Sequence, residues 1–453
     1  MQTNFVSPNE IRAQFARAMS VMYSQEVPAY STLVTMVKSI NDEVLKHDDV
    51  LRQQLTNADN LARISEERHG AIRLGTEKEL FNIRRLFAVM GMQPVSYYDL
   101  SVAGIPVHST AFRPVSRADL AANPFRVFTS LLRLELVEDN ALREAANAML
   151  AKREIFTPEA LQLIESFEQR GGLTAAEADA FIAAALETFR WHQNATVTTA
   201  LYEQLHETHR LVADVVSFKG PHINHLTPRT LDIDLAHRQM AAHGMQAKAT
   251  IEGPPRRQCP ILLRQTSFKA IEEAVNFADD KGHYVAGAHT ARFGEIEQRG
   301  IALTPKGRAL YDQLIHQTRE LASQAADLTY EAALEQVFVD FPDDYLTLHN
   351  DGLAYFEYHR AAVAIDAAVT KETLPQQLEN GQVELVPITY EDFLPVSAAG
   401  IFQSNLGHES AQNFSAQGNQ AVFESALGCH VLDEFALYAD MSEASLNRLL
   451  LRS

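Results

Sequence analysis

A chain of 453 residues that is 46% hydrophobic can bury a large core, and its length alone would accommodate two or three domains. A formal charge of −19 with no basic stripe argues against nucleic acid and anionic membrane as partners, so any anionic ligand must be met by local positive charge. Two cysteines, Cys259 and Cys429, exclude a disulfide framework and any cysteine-rich zinc or iron–sulfur site, which fits a reducing cytoplasm.

The first 60 residues read as helices. Ser7-Pro8-Asn9-Glu10 combines a capping box with proline at the first helical position, and Ile11, Phe15, Met19 and Met22 follow at helical spacing. A second amphipathic run carries Leu33, Val37, Ile40 and Val44, and a third follows Thr76 and Glu79 and stops at Gly91. The opening M-Q-T-N-F-V-S-P has no basic stretch before an apolar run, and nowhere do about 18 apolar residues run together, so a soluble, cytoplasmic protein is expected.

Residues 94–114 change texture to Tyr, Val, Ser and Thr punctuated by Gly104 and Pro106, which predicts strands around a tight turn. Residues 138–208 return to helix and read as an insertion without chemistry of its own. Strands are then predicted at 211–218, 247–251, 261–267 and 290–299, with a helix at 234–243 and a long helical stretch from Thr304-Pro305 to Val337. No linker or repeat divides the chain, so the expectation is one elaborated α+β domain over 1–453, a curved sheet wrapped in helices.

Three segments carry chemistry: R-H-G-A-I-R around His69, H-I-N-H-L-T-P-R around His225 and R-F-G-E-I-E-Q-R around Glu295. Two imidazoles and one carboxylate form the ligand set of a mononuclear non-haem iron(II) site, which leaves coordination positions open. On a strand, Phe293, Glu295, Glu297 and Arg299 share one face, so Glu295 is a candidate ligand with Glu297 or Arg299 behind it. Gly294 suggests close approach of another backbone. His222 and His225 could both be ligands on a helix, but Gly220-Pro221 and Pro228 predict a loop or short strand, which leaves His225 as the candidate ligand with Asn224 and Thr227 as hydrogen-bonding partners. His69 and Arg73 lie four apart, on the same side of a helix or a strand, which suits one ligand and one anion anchor. Taken singly, each has an ordinary reading as a satisfied histidine, a solvated strand face or a surface ion pair.

Longer runs reach further. Q-E-V-P-A-Y, E-R-H-G-A-I-R, M-Q-P-V-S-Y-Y-D-L, N-P-F-R-V-F-T-S-L-L-R, H-I-N-H-L-T-P-R-T-L-D-I-D, R-F-G-E-I-E-Q-R-G and Y-E-D-F-L-P-V-S-A-A-G-I-F resemble the 2-oxoadipate dioxygenase/decarboxylase (2-hydroxyglutarate synthase) family of vicinal oxygen chelate enzymes. The resemblance implies a partly closed sheet as metal core, built from about 60–130, 210–305 and 385–410. It implies iron(II), Fe(2+), held by His69, His225 and Glu295, and a 2-oxo diacid bound beside His69 by Arg73 and the Val396-Ser397 segment. The E-I-E-Q-R stretch also resembles the E-V-I-Q-R ligand strand of 4-hydroxyphenylpyruvate dioxygenases, which prefers Glu295 to Glu297. The implied reaction takes 2-oxoadipate and O2 to (R)-2-hydroxyglutarate and CO2 in lysine degradation, with Arg264 and Arg292 as further candidates for the distal carboxylate. A metal-dependent lyase or isomerase acting on a small oxo acid without O2, and a non-catalytic binding protein on the same scaffold, stay open as alternatives.

Overall fold

The computed structural model describes residues 4–57, 61–279, 281, 283–324, 327–361, 369–394 and 416–451. Helix α1 (Pro8–Glu26) starts where Ser7 accepts a hydrogen bond from the backbone N–H of Glu10, with proline at the first helical position. Helix α2 (Pro28–His47) follows at once, and the pair buries Phe15, Met19, Tyr23, Leu33, Val37 and Ile40.

Twelve strands are described: β1 (Arg68–Leu74), β2 (Gln93–Asp99), β3 (Val107–Arg113), β4 (Arg126–Leu132), β5 (Asn194–Thr198), β6 (Leu226–Pro228), β7 (Leu263–Ser267), β8 (Glu272–Ala278), β9 (Tyr284–Thr290), β10 (Glu295–Arg299), β11 (Phe356–Arg360) and β12 (Val383–Pro387). The main sheet runs β2-β3-β4-β1-β6, with β1 parallel to β4 and antiparallel to β6. Both faces of its centre are covered, so β3 and β4 are buried throughout and lack polar alternation. Ile72, Leu74, Val127 and Leu131 pack with α1 and α2 on one side. Ala71, Phe128 and Leu132 pack with Val212, Val215, Val216 and Phe393 on the other. Beyond β6 a single bridge from Arg229 to Glu297 leads to the antiparallel pair β10-β7, so the sheet curls toward closure without closing.

The α+β expectation holds, with several local corrections. Residues 211–218 were expected as a strand, but Arg210–Ser217 is a helix, capped by His209 whose Nδ1 accepts from the N–H of Leu211. Leu211, Val212, Val215 and Val216 recur at helical spacing, with Arg210, Asp214 and Ser217 on the opposite side, so the run carries a helix period and the valines alone suggest a strand. Residues 247–251 carry only an isolated bridge at Ala247, and the strand expected over 290–299 begins at Glu295. The insertion at 138–208 is mostly helical but includes β5, which pairs with β8, before its last helix Thr199–Thr208. The stretch from Thr304 divides into the helices Pro305–Gln324 and Tyr330–Val337. Among the described residues no helix is long and apolar enough to cross a membrane.

Candidate active site

The three proposed ligands converge from three strands or strand ends. His69 lies on β1, His225 immediately precedes β6, and Glu295 is the first residue of β10. Pairing of β1 with β6 sets His69 opposite Thr227, and Gly70 lets the chain before β6 come close. A Cβ at Gly70 would lie 2.5 Å from Ile223 Cδ1 and 3.0 Å from the carbonyl oxygen of His225. Gly294 admits the ring of Phe268 rather than the backbone expected, since a Cβ there would meet Phe268 Cε1 at 2.1 Å.

Ligand atoms of His69, His225 and Glu295 all lie within 4.8 Å of one another, and among the described residues no other group of three or more His, Cys, Asp or Glu does this. Glu295 Oε1 is 3.1 Å from His69 Nε2 and 3.8 Å from His225 Nε2. The same oxygen accepts from Thr227 Oγ1 (3.1 Å) and Gln265 Nε2 (2.9 Å). Glu295 Oε2 and both ring nitrogens of His225 are buried and have no hydrogen-bond partner among the described residues. Such orphans are costly unless something else satisfies them, and a divalent cation fits this donor set. Burial lowers the pKa of His225 to about 4, against the pull of Glu295, so its imidazole is neutral and offers a lone pair at pH 7. Burial opposes the charge on Glu295, yet His225 and His69 outweigh it and hold the carboxyl below its ordinary range. His69 is likewise opposed by burial, and Glu297 and Glu295 raise it.

Glu297 stands on the far side of His69, its Oε2 3.0 Å from Nδ1 but off the hydrogen-bond axis. Arg299 grips both Glu297 oxygens at 2.9 and 2.8 Å, and Arg126 approaches at 3.4 Å. Behind them Glu67 receives Arg126 (2.8 Å) and Arg229 (3.0 Å), while Glu391 receives Arg63 (2.8 Å) and Arg126. The position expected on charge pattern for Glu297 and Arg299, behind the ligand, is where they stand. Glu67, Arg63, Arg126, Arg229 and Glu391 were missed, because their partners are separated by long stretches of chain.

Arg73 projects from the same face of β1 as His69 into a cavity of about 150 Å³ lined by Arg210, Asp214, Lys248, Lys269 and Phe293 among others. Arg73 Nη1 donates to Asp214 Oδ2 at 2.7 Å. With its amide turned so that the oxygen faces Arg73, Asn224 accepts from the same nitrogen at 3.1 Å. Asp214 Oδ1 lies 2.9 Å from His289 Nε2 and 3.3 Å from His222 Nε2, so His222 belongs to the support of Arg73 rather than to the ligand cluster. Phe293 closes the wall between cavity and ligands, its ring centre 4.9 Å from that of His225. Lys248, which the sequence offered no signal for, has its pKa lowered to about 8 by burial, with Glu295 the strongest of the charges opposing. Arg264 pairs with Asp234 (2.7 Å) and Arg292 with Glu273 and Glu26, so neither alternative arginine lines the cavity. Val396 and Ser397 lie outside the described residues.

The model of the 2-oxoadipate dioxygenase/decarboxylase family matches residues 15–405. The chain belongs to this family. It is 56% identical over 450 residues to the 2-oxoadipate dioxygenase/decarboxylase of Pseudomonas putida, a match covering 98% of this chain and 97% of that protein. Identity to the Escherichia coli 2-oxoadipate dioxygenase/decarboxylase is 56% over 448 residues, 98% of this chain and 99% of that one. The fold matches the crystal structure of hydroxyglutarate synthase from Pseudomonas putida in complex with 2-oxoadipate at a TM-score of 0.90 and 53% identity, over 99% of this chain and 98% of that one. Family membership accounts for the long runs that single residues could not distinguish from ordinary structure.

Proposed function

We propose that this chain is an iron(II)-dependent 2-oxoadipate dioxygenase/decarboxylase, converting 2-oxoadipate and O2 to (R)-2-hydroxyglutarate and CO2. The observation that carries the reading is a cationic cavity set directly against three buried ligand side chains with orphaned donor atoms, in a chain of this family. His69, His225 and Glu295 would hold the metal, which when bound supplies the electrons that make O2 reactive. Glu295 is preferred to Glu297 because Glu297 is already engaged by Arg299 and Arg126.

Arg73, seated by Asp214 in the cavity wall, binds a substrate carboxylate, and its fork orients the carbon chain. Phe293 and Phe393 wall the imidazoles with apolar rings and keep bulk water from the ligands, Phe393 lying 5.0 Å from the His69 ring. Val396 and Ser397, three and four residues after Phe393 in sequence, are proposed to complete the hold on the substrate. Residues 1–453 are read as one domain, since the site draws together β1, the chain before β6, β10 and Phe393.

Oxygen uptake and CO2 release with 2-oxoadipate under iron(II), followed on the purified chain, test the reading. One CO2 per O2 is expected, with no turnover from His225→Ala or Glu295→Ala although both fold. Metal-dependent turnover without oxygen would replace the reading by a lyase or isomerase, and iron-free ligand binding untouched by both substitutions would replace it by a binding protein.

A further inference from the structure

The insertion at 138–208, expected to carry no chemistry, reaches Arg73 through one histidine. His289 is the one buried residue of β9, whose other six residues are exposed. A buried polar ring needs partners, and this one has a partner at each nitrogen. Nε2 lies 2.9 Å from Asp214 Oδ1, and Nδ1 lies 2.8 Å from the hydroxyl of Tyr202 on the helix Thr199–Thr208. Trp191, also in the insertion, lies parallel to the ring, 6.2 Å between centres and 9° between planes.

The chemistry of Asp214 fixes the hydrogen positions. Burial opposes its charge, yet His222, His289 and Arg73 outweigh burial and hold the carboxyl well below its ordinary range. An ionised carboxylate only accepts, so Nε2 of His289 carries the hydrogen, and in the neutral ring Nδ1 is left to accept from Tyr202. Oδ1 of Asp214 is taken by His289, with His222 Nε2 at 3.3 Å from the same oxygen. That leaves Oδ2 one orientation, in which Arg73 Nη1 donates to it at 2.7 Å. Tyr202, His289, Asp214 and Arg73 thus form one hydrogen-bonded line from the insertion to the cavity wall.

We infer that His289 is a positioning residue for the reaction: it sets the fork of Arg73 through Asp214, Tyr202 sets His289, and the insertion thereby shares in orienting the substrate. The inference rests on the 2-oxo-acid reading above, in which Arg73 takes a substrate carboxylate. A planar fork matches a carboxylate in one plane, so a seat that lets it swing weakens substrate binding without touching the metal ligands.

The test measures iron(II) affinity, the Kd of 2-oxoadipate by calorimetry on the iron(II) protein without oxygen, and KM with oxygen, for parent, His289→Leu, His289→Gln and Tyr202→Phe. His289→Leu is expected to raise Kd and KM about 10-fold, the worth of one charge-assisted hydrogen bond, with iron(II) affinity within about twofold of the parent. His289→Gln, whose amide N–H replaces the ring N–H at Asp214, is expected to recover most of that loss, and Tyr202→Phe to raise both about 2- to 5-fold. Combined with Arg73→Met, His289→Leu is expected to raise Kd less than about twofold further, because its effect passes through a guanidinium that is already gone. A full further loss in that double variant, a parent Kd in His289→Leu, or equal losses from the Leu and Gln variants would assign His289 a purely structural role and overturn the inference. If His289→Leu does not fold, Tyr202→Phe decides: a raised Kd at parent iron(II) affinity upholds the inference, and a parent Kd overturns it. A parent that forms no 2-hydroxyglutarate from 2-oxoadipate would instead overturn the function proposed above.

Discussion

The hydroxyl of Tyr23, on α1, lies 2.7 Å from the carbonyl oxygen of Phe293, two residues before Glu295. The same hydroxyl is 3.0 Å from the carbonyl of Asn224, next to His225, and the N–H of Phe293 donates to that carbonyl too (3.2 Å). One buried phenol thus ties the segments that carry two of the proposed ligands to each other and to helix α1.

Tyr23→Phe should therefore loosen the site more than the fold. Loss of this hydrogen bond is expected to cost about 1–3 kcal/mol of stability, read from urea unfolding. Iron(II) affinity, measured by anaerobic titration, should fall as well. An affinity equal to that of the parent would show that β1, β6 and β10 hold the ligand segments without the clamp.

Glu297→Gln removes the anion facing His69 Nδ1 while keeping the shape. A carboxylate behind a ligating histidine makes it a better donor, so metal affinity is expected to drop about 10- to 100-fold. Stability should fall too, because Arg299 and Arg126 lose a buried counter-charge. Unchanged iron binding would place Glu297 with the arginines alone.

Asp214→Asn tests the seat of Arg73. The charge-assisted bond at 2.7 Å sets the guanidinium, and its weakening is expected to lower kcat/KM for 2-oxoadipate roughly 10-fold or more, chiefly through KM. Arg73→Lys should lower it further, since the charge stays while the planar fork is lost. Steady-state oxygen uptake across a substrate series checks both, and parent-like values for Arg73→Lys would remove Arg73 from the anchoring role.

Glu434 gives the chain a pH dependence remote from the site. Burial, and then the neighbouring Asp392, raise its pKa from 4.5 to about 7, and Ser96 donates to it at 2.8 Å. A carboxyl whose pKa is higher folded than unfolded binds its proton preferentially in the folded state. Its contribution is full below about pH 4.5 and is lost as pH rises through about 7. Glu434→Gln, which mimics the protonated acid, should melt close to the parent at pH 5 and above it at pH 8. Thermal unfolding at the two values checks this, and an equal shift at both would contradict it.

The legible part of this structure was local. The caps at Ser7 and Thr76 are read from four residues each, and both appear as hydrogen bonds to the N–H three residues on. The alternation of Glu295, Glu297 and Arg299 announced one strand face, and all three side chains are buried on it. The spacing of His69 and Arg73 likewise placed them on one side of β1. What stayed hidden depends on contacts between distant stretches. Nothing near Tyr23 signals its bonds to residues 201 and 270 positions away. Lys248 acquires its place only when the chain before β7 folds against Phe293, whereas for Arg210–Ser217 the helical spacing of Leu211, Val212, Val215 and Val216 was present in the sequence and was masked by the strand preference of valine.

His69 and Glu295 are 226 residues apart in the chain. A ribosome adding about 5–20 residues per second releases the second of them roughly 10–45 seconds after the first. Throughout that interval His69 and later His225 wait without the carboxylate that completes their set, and β10 is still unmade. A metal held by all three residues could therefore bind only after the strand that carries Glu295 has emerged and paired. Glu295 stands about two-thirds of the way along the 453 residues, so the full ligand set proposed above exists only in chains that have grown past it.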